Sequence, residues 1–140
     1  AKAAQNTGVR LALETHDDFN SAARVGGVIR AIDHPNAAVV WDTGHTHAVG
    51  ESIPAAWEAI GPFVAHVHVK DIIRANGVTP TVPAGTGDVP LRGIVDVLRE
   101  AGYEGCFSTE WEPADEAAAG GREAAIAQYT EHLRGLLVAT

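Results

Sequence analysis

Glu14, Asp42, His68 and Glu110 each close a short run of β-branched and other apolar residues. Two glutamates, an aspartate and a histidine form a mixed oxygen and nitrogen donor set. Such a set suits a divalent ion in roughly octahedral coordination with positions left for water or substrate. Manganese is the first expectation, with Mg²⁺, Co²⁺ or Zn²⁺ admissible; a structural zinc site would be richer in Cys and His. Taken singly, each residue has an ordinary explanation. A carboxylate at a strand end is commonly solvated or caps the next helix, and His68 alone fits a hydrogen-bonded core histidine. Four of them at the ends of four successive runs are harder to explain that way. In Ala65-His66-Val67-His68-Val69-Lys70, His66, His68 and Lys70 share one strand face and the valines share the other. Burying that much ionisable character without partners would cost several kcal/mol, so partners are expected.

The elements that must position these groups follow from periodicity. Residues 9–14, 38–42, 64–70 and 106–110 read as buried strands, apolar on both faces and bounded by turn or polar residues. Helical spacing marks residues 21–33 through Ala22, Val25, Val28, Ile29 and Ile32, and residues 53–60 with Pro54 in the first turn. It also marks residues 90–101 through Leu91, Ile94, Val95 and Leu98, ended by Gly102, and residues 122–137 through Ile126, Tyr129, Leu133, Leu136 and Leu137. Residues 1–6 read as the tail of a further helix. Alternating strands and helices imply an α/β fold with a parallel sheet, and all four ionisable residues fall at carboxyl ends, where such sheets and barrels bind ligands. Residues 71–89, rich in Gly, Pro and Thr, form the longest connection and read as a lid or binding loop.

Composition narrows the function classes. A formal charge of −8 with ten scattered Lys and Arg argues against a nucleic-acid footprint. No apolar run approaches the roughly 20 residues of a membrane span, and the start lacks a signal-peptide stretch. One cysteine, Cys106, allows no internal disulfide and no cysteine-based zinc motif. A cytoplasmic protein is the expectation. Five of the seven histidines (His16, His45, His47, His66 and His68) lie near strand ends.

The segments LALETHDDF, VVWDTGH, HVHVKD, GTGDVPLRGIVDVLREAGYEG and FSTEWEP resemble the xylose isomerase-like barrels, which include ketose 3-epimerases, inosose dehydratases and endonuclease IV-type repair nucleases. The resemblance spans nearly all of residues 1–140 and implies a (β/α) TIM-barrel type, here about four βα units equivalent to the C-terminal half. It implies metal ligation by Glu14, Asp42, His68 and Glu110, with Glu14 and Glu110 as the catalytic pair. One would remove a proton beside a sugar carbonyl, and the other would return it after an enediolate. His45, three residues after Asp42, and Arg74, six after His68, match the substrate-binding positions of the epimerases.

Departures from that pattern matter. Some epimerases carry a second Glu six residues after the first, and Asn20 stands there. Lys70-Asp71 is more like the dehydratases, and Lys70 either serves substrate as a stabiliser or acid or simply pairs with Asp71. His16 touches substrate or orients Glu14, while His47 and His66 read as supporting or structural. The nuclease pattern needs an extra Asp-x-His pair, whereas residues 83–88 read PAGTGD. That Gly-x-Gly is expected to be a flexible turn beneath the site. A barrel of this kind needs about eight strands. Four suggest a truncated chain, an incomplete product or a half-barrel, and hence pairing with a second copy or with a missing N-terminal half. An inactive fragment or metal-binding module is the reading outside enzymology, and an inosose-type dehydratase is the alternative within it.

Overall fold

The computed structural model describes residues 1–75, 79–111, 117 and 119–138. Four parallel strands, β1 (Leu11–Glu14), β2 (Ala37–Asp42), β3 (Val64–Val69) and β6 (Phe107–Thr109), form one sheet in the order β1-β2-β3-β6. Each crossover is helical: α1 (Ala22–Ile32), then α3 (Ile53–Ile60), then α4 (Leu91–Glu100), with α5 (Arg122–Val138) after the last strand. This is the TIM-barrel type of α/β fold, in half-barrel extent. β1 and β6 are the outer strands, and Leu11 on β1 is 51% exposed.

The alternation expected for β3 holds. Val67 and Val69 are buried with Val39 and Trp41 beneath the helices, against Ala56, Ile60, Leu98 and Tyr129. The α4 stripe of Leu91, Ile94, Val95 and Leu98 is buried as expected. In α1 and α5 the apolar stripes extend beyond the core: Ile32, Ile126 and Leu137 are exposed, and Gly26 and Ala125 are buried instead. Gly26 is needed because a Cβ there would collide with the Ala59 carbonyl of α3.

Several local features differ from expectation. Residues 1–6 hold a single 3₁₀ turn, Lys2–Ala4, followed by Asn6 and Gly8 at positive φ, which stops helical continuation. Residues 9–10 precede the first strand rather than belonging to it. Asp42 starts a short helix, α2 (Thr43–Ala48), that the periodicity did not reveal. The connection 71–89 carries an antiparallel pair, β4 (Asp71–Ile72) with β5 (Thr81–Val82); residues 76–78 of that expected loop lie outside the described residues.

One irregularity controls the site. Val39 of β2 pairs with Val64, but Val40 pairs with His66, so β3 carries an extra residue at Ala65. A one-residue slip exchanges strand faces. Here the bulge sets Asp42 beside His68 on one face and Trp41 beside Val67 on the other. Past the strand ends, two threonine hydroxyls continue the lacing. Thr15 accepts the Asp42 N–H at 2.8 Å, and Thr43 accepts the Lys70 N–H at 3.3 Å while donating to the His68 carbonyl at 3.2 Å.

Candidate metal centre

The four strand-end residues converge. Glu14, Asp42, His68 and Glu110 each offer a ligand atom, and these atoms all lie within 4.8 Å of one another. His68 Nδ1 is 2.7 Å from Glu14 Oε1 and 3.8 Å from Glu110 Oε2, so the imidazole stands near both glutamates. Asp42 is fully buried. Its Oδ1 accepts the His45 N–H at 2.9 Å as the N-cap of α2, and its Oδ2 has no hydrogen-bond partner. An orphaned buried carboxylate oxygen aimed at three further oxygen and nitrogen donors fits a divalent cation.

Lys70 lies beside this set. Its ammonium donates to Glu110 Oε2 at 3.1 Å and stands 3.5 Å from Asp42 Oδ2, close enough for attraction but outside hydrogen-bond geometry. Burial works against the charge on Lys70, yet Asp42 and Glu110 together outweigh it and raise its pKa above the ordinary lysine range. For Glu110 burial likewise opposes ionisation, and the Lys70 contact overrides it, holding the carboxyl below its usual range. Lys70 therefore pairs across the site and not with its neighbour Asp71. The Asp71 carboxylate instead accepts the backbone N–H groups of Gly85, Gly87 and Val89 at 2.8, 2.9 and 3.1 Å.

His45 and His16 stand with ring centroids 4.2 Å apart and line a cavity of about 230 Å³ with Gly44, Ala48, Lys70, Ile72, Thr79 and Thr81. Burial first, then Lys70 and His16, lower the His45 pKa against the pull of Asp42, which keeps this imidazole neutral near pH 7. His16, His45 and Glu110 form a second group of mutually close ligand atoms. That grouping escaped the sequence reading, although the spacings that produce it, two residues after Glu14 and three after Asp42, were visible. His66 supports: its Nε2 is 2.6 Å from Ser108 Oγ, and its ring meets His68 edge-on.

Arg74 is not brought to this cluster. Its guanidinium lies 3.7 Å from where a Gly50 Cβ would stand and helps to lower the His47 pKa after burial; its backbone N–H is held by Asp88 at 2.8 Å. The Gly85–Gly87 segment is also unlike the flexible turn expected. It is wrapped on the Asp71 carboxylate, and a Cβ on Gly87 would collide with that group.

The model of the xylose isomerase-like TIM barrel matches residues 1–135. The chain belongs to that family. A D-psicose 3-epimerase from Ruminiclostridium cellulolyticum is 31% identical over 115 residues, covering 79% of this chain and 37% of that protein. Among solved structures, a xylose isomerase domain protein from Planctomyces limnophilus is 28% identical with a TM-score of 0.76, over 96% of this chain and 47% of its own. The IolI protein, solved with a bound zinc atom, superposes with a TM-score of 0.80 at 23% identity, over 97% of this chain and 51% of its own. The chain thus spans about half the length of those solved relatives, and less of the epimerase. No helix among the described residues is long and apolar enough to cross a membrane.

Proposed function

We propose that this chain supplies the metal-holding and proton-transferring half of a sugar isomerase or epimerase. The observation that carries this is the convergence of Glu14, Asp42, His68 and Glu110 within 4.8 Å, with Glu14 ending one outer strand and Glu110 directly following the other. A divalent ion held by these four side chains, manganese first, then magnesium, cobalt or zinc, would polarise a carbonyl and a neighbouring hydroxyl of a small sugar or cyclitol. Glu110, kept ionised by Lys70, is suited to remove the proton from the carbon beside the carbonyl. Glu14, which also contacts His68, would return a proton from the other side. His16, His45 and Lys70 line the adjoining cavity and would hold substrate oxygens. Arg74 is left out of this assignment.

The Lys70 ammonium beside Glu110 supports a second reading, dehydration, in which the same proton removal is followed by loss of a β-hydroxyl assisted by that acid. The experiment is deuterium exchange: the Mn²⁺-loaded chain is incubated with ketoses and inososes in D₂O and followed by NMR. A converted product carrying deuterium at the carbon beside the carbonyl is expected for the wild type, and no converted product for Glu14→Gln or Glu110→Gln. Converted product formed by either variant would overturn the two-glutamate mechanism. Loss of water from the product selects dehydration. Metal binding without exchange makes the chain a metal-binding half-barrel that needs a second half, from another copy or from an N-terminal segment.

A further inference from the structure

Lys70 enters the cluster along a built path. Its side chain is 10% exposed, and its ammonium has three polar neighbours: Glu110 Oε2 at 3.1 Å, His45 Nε2 at 3.4 Å and Asp42 Oδ2 at 3.5 Å. The stem runs over Gly44. A Cβ at position 44 would stand 3.0 Å from Lys70 Cβ and Cγ and 3.2 Å from Cδ, so the route is open because that residue has no side chain. Two of the three neighbours, His45 and Glu110, belong with His16 to the second donor group, whose ligand atoms lie within 4.8 Å of one another. Glu110 is common to both groups. A shared carboxylate is well suited to joining two metal ions, which in two-ion enzymes sit roughly 3.5–4 Å apart.

We propose that Lys70 is an internal cation filling the second position of what would otherwise be a two-ion centre, so that the native chain takes one divalent ion. This rests on the metal site proposed above. A single positive charge beside a dication is repelled half as strongly as a second dication at the same distance. The ammonium is tethered, so it cannot be diluted away, and it offsets the negative charge of the buried Asp42 Oδ2, which has no hydrogen-bond partner. His16 engages Asp17 through Nδ1 at 3.1 Å, which leaves Nε2 as its remaining ligand atom. Keeping a second ion out also keeps the cavity lined by His16, His45 and Lys70 open for substrate.

The test counts ions on the chelator-treated, repleted chain by equilibrium dialysis against Mn²⁺ and elemental analysis, with circular dichroism to confirm folding. One ion per chain is expected for the wild type, two for Lys70→Leu, and one again for Lys70→Leu with His16→Ala. Lys70→Gln, which retains a hydrogen bond to Glu110 without the charge, serves if the leucine variant does not fold and is also expected to bind two. One ion in the wild type and in a folded Lys70 variant overturns this inference alone. No ion in any of them overturns the metal site as well. Two ions in the wild type, or a second ion indifferent to His16→Ala, show that Lys70 does not guard that position.

Discussion

Asp42 and Asp71 are both fully buried aspartates near the carboxyl end of the same sheet, yet their surroundings differ in one decisive way. Asp71 has its oxygens filled by three backbone N–H groups of the loop that follows, and its own N–H is taken by the Tyr129 hydroxyl at 2.8 Å. Asp42 has one oxygen committed to the start of α2 and the other unbonded, facing Lys70, His68 and the two glutamates. A buried carboxylate with filled lone pairs is a structural knot. One with a lone pair held open toward other donors is a ligand in waiting. Burial alone does not separate the two; satisfaction of the oxygens does.

The contrast is broken first by removing the knot. Asp71→Ala strands three N–H groups and is expected to destabilise the chain by on the order of 3–5 kcal/mol in urea unfolding, with the 83–89 loop becoming protease-sensitive. A loss below about 1 kcal/mol would show that the loop does not depend on that carboxylate. Gly87→Ala attacks the same knot from the loop side, because its Cβ would meet the Asp71 carboxylate and the Ile72 carbonyl. A cost of about 1–3 kcal/mol is expected, with metal binding retained. Tyr129→Phe removes the hydroxyl that joins the Asp71 N–H to the Val82 carbonyl and should cost about 1–2 kcal/mol.

How far the sequence could reveal this difference depends on what sets it. The four strand ends were legible because each apolar run stops at an ionisable residue, and the β3 alternation assigned His66, His68 and Lys70 to one face. The Ala65 bulge was invisible, since an extra residue in a strand leaves the composition unchanged, yet it brings Asp42 beside His68. Sequence alone leaves the partner of Lys70 open between Asp71 and the site, because adjacency along the chain says nothing of side-chain direction. Lys70 points to the inner face, and Asp71 turns toward the loop. Arg74 matches its position by spacing alone, and beyond Asp71 the chain turns into the β4–β5 pair, which sets the guanidinium beside Gly50 and His47. The helix at Thr43–Ala48 was missed because six residues are too few for a 3.6-residue period to declare itself.

Asp42→Asn sharpens the contrast from the other side. Asparagine caps a helix as well as aspartate does, so the change should alter stability by no more than about 1 kcal/mol. Divalent-ion affinity should fall by more than the roughly 10–100-fold expected from losing a partner that only orients a ligand. A variant as destabilised as Asp71→Ala, with metal binding intact, would reverse the roles assigned to the two aspartates.

The smallest effect concerns His47, on the side of α2 where Arg74 lies. Its Nε2 is buried without a hydrogen-bond partner, and burial first, then Arg74, lower its pKa below the ordinary value of 6.5. A histidine whose folded pKa is depressed binds fewer protons folded than unfolded. Its contribution is therefore fully present above pH 6.5 and declines as the pH falls through the folded value. His47→Gln should lose less melting temperature than the wild type between pH 8 and pH 5, with the two chains differing least in slope above pH 7. Equal losses would mean that the proton reaches His47 as easily in the folded chain as in the unfolded one. Burial of the ring, the larger cause, and the Arg74 guanidinium, the smaller, would then fail together as the source of the shift.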